Sequence, residues 1–284
     1  MRSLLSLLLI LLATAASAQG ETLSRIAESG EFRIGFVPDA APLSLRDAED
    51  NVSGYSIELC RRIASATRDH LVLDRISITF VPLVTIEDRI SAIENGDIDI
   101  ECGSTTVTLS RRERVDFTLM TFITGSAVLS RKSSAIGGVD DLDGTEIAVL
   151  EGTTTEDVIR RVIDVNEFDI DLKLVDSHDE GMELLNNRDV DGYASDRAML
   201  IGQVFRNANA SNQYAMTRSA LSFEPYALMV KRGDTEFRLV ADKALASLFR
   251  GPRIRRLYQD WFGRYGEPLS PVVAAMYEFQ AVGE

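Results

Sequence analysis

Three short stretches carry the residue types from which a site for a charged small molecule is built. The first is Cys102-Gly103-Ser104-Thr105-Thr106, followed by Thr108 and Arg111. Gly103 permits close backbone approach, and the hydroxyls with free N–H groups make a turn suited to an anion. Arg111 follows closely enough to face the same point if the segment curls, and a guanidinium fork grips a carboxylate through two parallel hydrogen bonds. The second stretch is Glu151-Gly152-Thr153-Thr154-Thr155-Glu156, between a strand pattern and a helix pattern. There a glycine and threonines offer unpaired N–H groups at the positive end of a helix dipole. The third feature is Asp196, at the end of an apolar strand, where a buried carboxylate can hold an ammonium group. Each has a plainer reading taken alone. Arg111 joins Arg112 and Arg114 in a solvated basic cluster, Thr153 or Thr154 caps a helix, and Asp196 caps the segment after it. Together they supply donors for a carboxylate and an acceptor for an ammonium, the recognition set of a zwitterionic amino acid.

The elements that must position these residues form an alternating α/β pattern. Phe32–Val37 reads as a strand and Tyr55–Thr67 as an amphipathic helix with Ile57, Leu59, Cys60, Ile63 and Ala64 inward. Ile76–Val81 is a second strand, Glu87–Glu94 a helix closed by Asn95-Gly96, and Ile98–Glu101 a third strand. The pattern then restarts. Glu146–Leu150, Leu172–Val175 and Asp191–Ala194 are strands, with helices at Thr155–Val162 and Asp179–Leu185 between them. Two β-α-β-α-β units with right-handed parallel crossovers predict two α/β lobes. Two extended stretches, Phe117–Leu129 and Ser222–Val230, connect them, which is what a hinge requires. The stretch from Phe237 to Phe262 is helical and carries Trp261, expected to pack back on the first lobe. Ligands of open α/β sheets bind beyond the carboxyl ends of the strands, where all three chemical stretches stand.

The chain ends and composition narrow the classes further. Arg2, the apolar run Leu4–Leu12 and the small residues Ala16-Ser17-Ala18 predict a signal peptide over 1–18, leaving a soluble mature chain of about 265 residues. The apolar run is shorter than the roughly 20 residues of a membrane span. Net charge is −14 for the full chain and −15 without Arg2. An acidic surface disfavours nucleic acid and anionic lipid as partners. His70 and His178 are the histidines and neither lies near a cysteine in sequence, so no metal and no cofactor is expected. Cys60, on a helix face, and Cys102, on a strand, are expected as buried free thiols, although export makes a disulfide chemically possible.

Further motifs carry a resemblance. Gly54-Tyr55-Ser56-Ile57-Glu58-Leu59, Ser110-Arg111 through Asp116-Phe117-Thr118, Asp141-Leu142-Asp143-Gly144, Gly152-Thr153-Thr154 and Glu224-Pro225-Tyr226 resemble the family 3 solute-binding proteins of ABC transporters. The segment Phe80–Thr106, with Ser177-His178 and Asp196, is similar to the glutamate/aspartate-binding members. The resemblance covers the mature chain and implies the two-lobed type II periplasmic binding-protein fold, α/β, with mixed and mostly parallel sheets flanked by helices. It implies a first lobe from 19–120 and 227–284, a second from 124–222, and a hinge near 119–125 and 222–228. It also implies a periplasmic monomer that delivers an amino acid to an ABC permease. Arg111, Thr106 and Thr153 would hold the α-carboxylate, and Asp196 and Ser104 the α-amino group. Arg89 and His178 would meet a side-chain carboxylate, which would favour the charged form of His178.

Departures from that family pattern lie at one end of the site. Phe36-Val37-Pro38-Asp39 stands where acidic-amino-acid binders carry an arginine, Arg46 is too far along to replace it, Leu43 replaces an aromatic, and Leu150 replaces a threonine. An acidic amino acid is the leading ligand and a neutral polar one such as glutamine the alternative. The chain is expected not to be an enzyme. The alternatives are a cyclohexadienyl or arogenate dehydratase on the same fold, with Glu151 or Glu224 as its acid, and a ligand sensor for a membrane receptor.

Overall fold

Residues 20–206 and 211–283 are described by the computed structural model, and the expected signal peptide lies outside them. Helix α1 (Glu21–Ser29) leads into β1 (Glu31–Phe36), whose Phe32, Ile34 and Phe36 are fully buried. A small antiparallel sheet follows, made of β2 (Asp39–Ala40), β3 (Ser44–Arg46) and β4 (Val52–Ser53). Helix α2 (Tyr55–His70) then lays Ile57, Leu59, Cys60, Ile63 and Ala64 on the core, as a 3.6-residue period requires. Strand β5 (Ser77–Pro82), helix α3 (Ile86–Asn95) and strand β6 (Ile100–Glu101) complete the first unit. Both β5 and β6 pair with β1 in parallel, on opposite sides of it. Because the second crossover runs back past β1, right-handed connections place α2 and α3 on opposite faces. Accordingly Ile90 and Ile93 of α3 sit in a core cluster separate from that of α2.

Short helix α4 (Leu109–Arg112) precedes the long strand β7 (Val115–Thr124), and the chain crosses at Gly125 into β8 (Ser126–Arg131). The second lobe repeats the plan with β9 (Glu146–Leu150), α5 (Thr154–Asn166), β10 (Asp171–Val175), α6 (His178–Asn187) and β11 (Gly192–Asp196). Helix α7 (Arg197–Arg206) and strand β12 (Tyr214–Met216) close the lobe, whose strand order is β10-β9-β11-β8-β12. The chain returns through β13 (Glu224–Lys231), which lies antiparallel between β6 and β7, giving the first sheet the order β5-β1-β6-β13-β7. Helices α8 (Thr235–Phe249), α9 (Arg253–Trp261) and α10 (Pro271–Gln280) pack on the first lobe, with the Phe262 and Phe122 rings stacked at 4.5 Å and Trp261 against the same core. The two crossing segments touch. Leu221 N donates to Ser126 O at 2.8 Å, and a Cβ at Gly125 would stand 2.3 Å from Ser222 O, so only a glycine fits.

The cysteines differ from expectation. Cys60 and Cys102 form a disulfide, with Cα atoms 6.4 Å apart and a sequence separation of 42. Helix α2 packs over the sheet beside the end of β6, so its inward Cys60 falls within bonding range of Cys102. The packing of that helix on that strand decides the pairing, and neither local pattern contains it.

Candidate functional site

Arg89, Ser104, Thr106, Arg111, Thr153, His178 and Asp196 line one cleft between the two lobes. Arg111 is set by α4, where the Thr108 hydroxyl accepts from Arg111 N at 3.1 Å and so starts the turn that the sequence suggested. Its Nη1 donates to Thr106 O at 2.8 Å and its Nη2 to Gly152 O of the opposite lobe at 3.4 Å. Burial, and after it the charge of Arg89, bring Arg111 down to about 10, so it stays cationic at neutral pH. Ser104 and the buried Thr106 sit beside it on the segment leaving β6.

Asp196 faces Arg111 from the other lobe. It ends β11, where Oδ1 accepts from Ser126 and Thr155 hydroxyls at 3.3 Å each and Oδ2 accepts from the Tyr226 hydroxyl. Burial, with the nearby Glu224 carboxylate second, pushes Asp196 up to about 7. Glu224 is itself buried, and its Oε2 accepts from the Thr154 hydroxyl at 2.7 Å. An unpaired buried carboxylate beside another is destabilised when ionised, and an ammonium group between the lobes removes that penalty.

Thr153 lines the cleft, but its hydroxyl accepts from Glu156 N at 3.3 Å and donates to Leu150 O at 2.7 Å. That is the N-cap of α5. The neighbouring Thr154 and the helix start itself are turned toward the first lobe, Thr154 reaching Thr106 Oγ1 at 3.4 Å.

The far end of the cleft holds Arg89 and His178. Arg89, on α3, donates from Nη1 to Thr105 Oγ1 at 3.2 Å and lies 3.5 Å from the buried Glu101 carboxylate. Burial pushes that Glu101 carboxyl up, against the pull of Arg89. His178 opens α6, and its Nδ1 shares a hydrogen bond of 2.6 Å with the Tyr193 hydroxyl. The ring is held below its usual range, first by burial, which outweighs the opposing charge of Asp39. The expected charged imidazole is therefore not what this arrangement favours: the ring is too deeply desolvated.

Sequence reasoning passed over Asp39 as a site residue. It lies just beyond β1 and lines the cleft, and its Oδ2 accepts from His178 N at 2.8 Å and Asp179 N at 3.3 Å across the lobes. The absence of the family arginine marks this loop in the sequence, but local sequence does not show what Asp39 reaches. Val37 lines the cleft at that point, and Arg46 is exposed with its guanidinium over the Phe36 ring. Glu151 is exposed and is not among the cleft-lining residues. Among the described residues no group of three or more His, Cys, Asp or Glu side chains is placed to hold a metal ion.

Two α/β lobes joined by paired crossing strands, with Arg111 and Asp196 lining the cleft between them, define the class of two-lobed binding proteins. Residues 32–264 match the model of the bacterial extracellular solute-binding proteins, family 3, and the chain belongs to that family. It is 30% identical to an L-glutamate/L-aspartate-binding protein of Pseudomonas aeruginosa over 88% of this chain and 82% of the relative. It is 27% identical to a glutamate/aspartate import solute-binding protein of Salmonella typhimurium, over 87% and 81% of the two chains. Among solved structures, an ancestral arginine-binding protein bound to glutamine superposes with a TM-score of 0.73 at 26% identity, over 82% of this chain and 98% of that one. The resemblance read from the motifs is thereby borne out at family level, and both relatives are named as binding proteins, not enzymes.

Proposed function

We propose that this chain is the periplasmic binding component of an ABC importer and that it closes around a polar amino acid of the glutamate, aspartate and glutamine group. The observation that carries the reading is the facing of Arg111 and Asp196 across one cleft, each from a different lobe. Arg111, with Thr106 and the N-terminus of α5, receives the α-carboxylate; Asp196 and Ser104 receive the α-ammonium. Contacts shared by both lobes exist only when the lobes are closed, so ligand binding shifts the open–closed equilibrium toward the form a permease recognises. In this reading lobe 1 spans 19–120 with 227–284, lobe 2 spans 124–222, and the protein works as a monomer. A thermal-shift screen against each standard amino acid tests it: stabilisation by at least one polar amino acid, abolished by Arg111→Ala, is expected. No shift with any of them would overturn it. The dehydratase reading has less support, since Glu151 is exposed outside the cleft and Glu224 is tied to Thr154. Turnover of prephenate or arogenate to an aromatic product would establish it.

A further inference from the structure

Three polar groups at the far end of the cleft are more than nine-tenths buried: Asp39, Arg89 and His178. Each spends some of its hydrogen-bonding capacity on the protein. Asp39 Oδ2 takes two backbone N–H groups of α6, Arg89 uses Nε on Thr85 O and Nη1 on Thr105, and His178 uses Nδ1 on Tyr193. Among the described residues, Asp39 Oδ1, Arg89 Nη2 and His178 Nε2 have no hydrogen-bond partner in the protein. What remains toward the cleft is therefore one carboxylate acceptor beside cationic and imidazole groups. We propose that Asp39 is a specificity-determining residue that adapts this end of the cleft to a neutral carboxamide, so that glutamine or asparagine is bound in preference to glutamate or aspartate. The inference rests on the amino-acid reading above and deepens it.

A side-chain carboxylate entering this end meets Asp39 as a like charge in a desolvated space, where repulsion is poorly screened. The N–H groups that open α6, otherwise a ready anion site, are already taken by Asp39. Arg89 brings only part of its charge to a ligand, because Glu101 lies 3.5 Å from it. A cationic side chain is disfavoured in turn by Arg89. A carboxamide satisfies both signs: its NH2 donates to Asp39 Oδ1, and its oxygen accepts from Arg89 Nη2 or His178 Nε2. Asp39 is also fixed in place, since its carbonyl accepts from Gln203 of α7 at 2.5 Å. Discrimination of this kind works by opposing the wrong ligand as much as by holding the right one.

Isothermal titration of the mature protein, stripped of endogenous ligand, with glutamine, asparagine, glutamate, aspartate and arginine tests the proposal. The expected result is an amide ligand bound about tenfold or more tightly than its acid counterpart, a difference Asp39→Asn narrows by a similar factor by improving the acid. The carboxamide that Asp39→Asn introduces keeps an acceptor oxygen for α6 while losing the charge; if the variant fails to fold, the wild-type preference alone decides. Glutamate or aspartate bound more tightly than its amide by the wild type, or an acid-to-amide ratio unmoved by Asp39→Asn, overturns the role of Asp39 and leaves the amino-acid reading standing. Preference for arginine does the same. Failure of every amino acid to bind overturns both.

Discussion

Asp196 is the residue whose environment makes the sharpest demand on function. Its carboxyl is pushed up to about 7 from an ordinary value of 3.8 because it is buried beside Glu224, with hydroxyl donors that offset only part of the cost. A carboxyl whose folded-state pKa is raised stabilises the unliganded arrangement fully below about 4 and loses that contribution as pH rises through about 7. A ligand ammonium requires the ionised form. Amino-acid affinity should therefore weaken as pH falls below about 7, approaching tenfold per pH unit, with protons released on binding near neutrality. Titrations in buffers of different ionisation enthalpy check this, and an affinity flat between about pH 5 and 8 would contradict it. Arg111→Ala leaves the opposing carboxylates without their cation and should cost about 2–5 kcal/mol of binding, measured by the same titration.

At the scale of elements, the cap on α5 and the disulfide under α2 can be separated from the ligand contacts. The Thr153 hydroxyl serves the helix, so Thr153→Ala should lower stability by about 1 kcal/mol in denaturant unfolding. Thr154→Ala removes a hydroxyl that bridges Glu224 and Thr106, and should weaken binding more than it weakens the fold. The Cys60–Cys102 bond closes a loop of the first lobe and contributes about 2–4 kcal/mol by restricting the unfolded chain. Replacing both cysteines by serine should lower the melting temperature by roughly 4–16 °C with the cleft residues still in place.

If the lobes close on the ligand as proposed, their approach is set where their backbones meet, and one such place is a glycine. Gly202 of α7 lies so close to the first lobe that a Cβ there would stand 1.9 Å from Ala41 O. Both atoms belong to fixed backbone, so a methyl group cannot be accommodated by a rotamer change. Gly202→Ala should hold the lobes apart, weakening every amino acid by about tenfold or more while far-ultraviolet dichroism stays unchanged. Small-angle scattering of the ligand-saturated variant should report a larger radius of gyration than the wild type; an unchanged radius and affinity would show that closure stops elsewhere.

Much of this was legible in the sequence because period and position are local properties. The inward face of α2, the strand runs around Ile34, Ile147 and Ala194, and the glycine stop at Gly96 follow from side-chain spacing and backbone freedom. Helices α1, α7 and α10 and the small sheet β2–β4 escaped it. In α7, Ala198, Met199, Leu200, Gln203 and Val204 are all buried, so a helix covered on several sides leaves no amphipathic stripe to read. The sequence by itself determined the two α/β lobes, their order, and the group at each strand end that suits a carboxylate or an ammonium. Only the tertiary structure decided that Cys60 meets Cys102, that Thr153 serves its helix, that burial holds the His178 ring below its usual range, and that Asp39 reaches across to α6. Those facts depend on which distant segments share a desolvated space, and the energy of a charge or a thiol is set by neighbours that local sequence does not name.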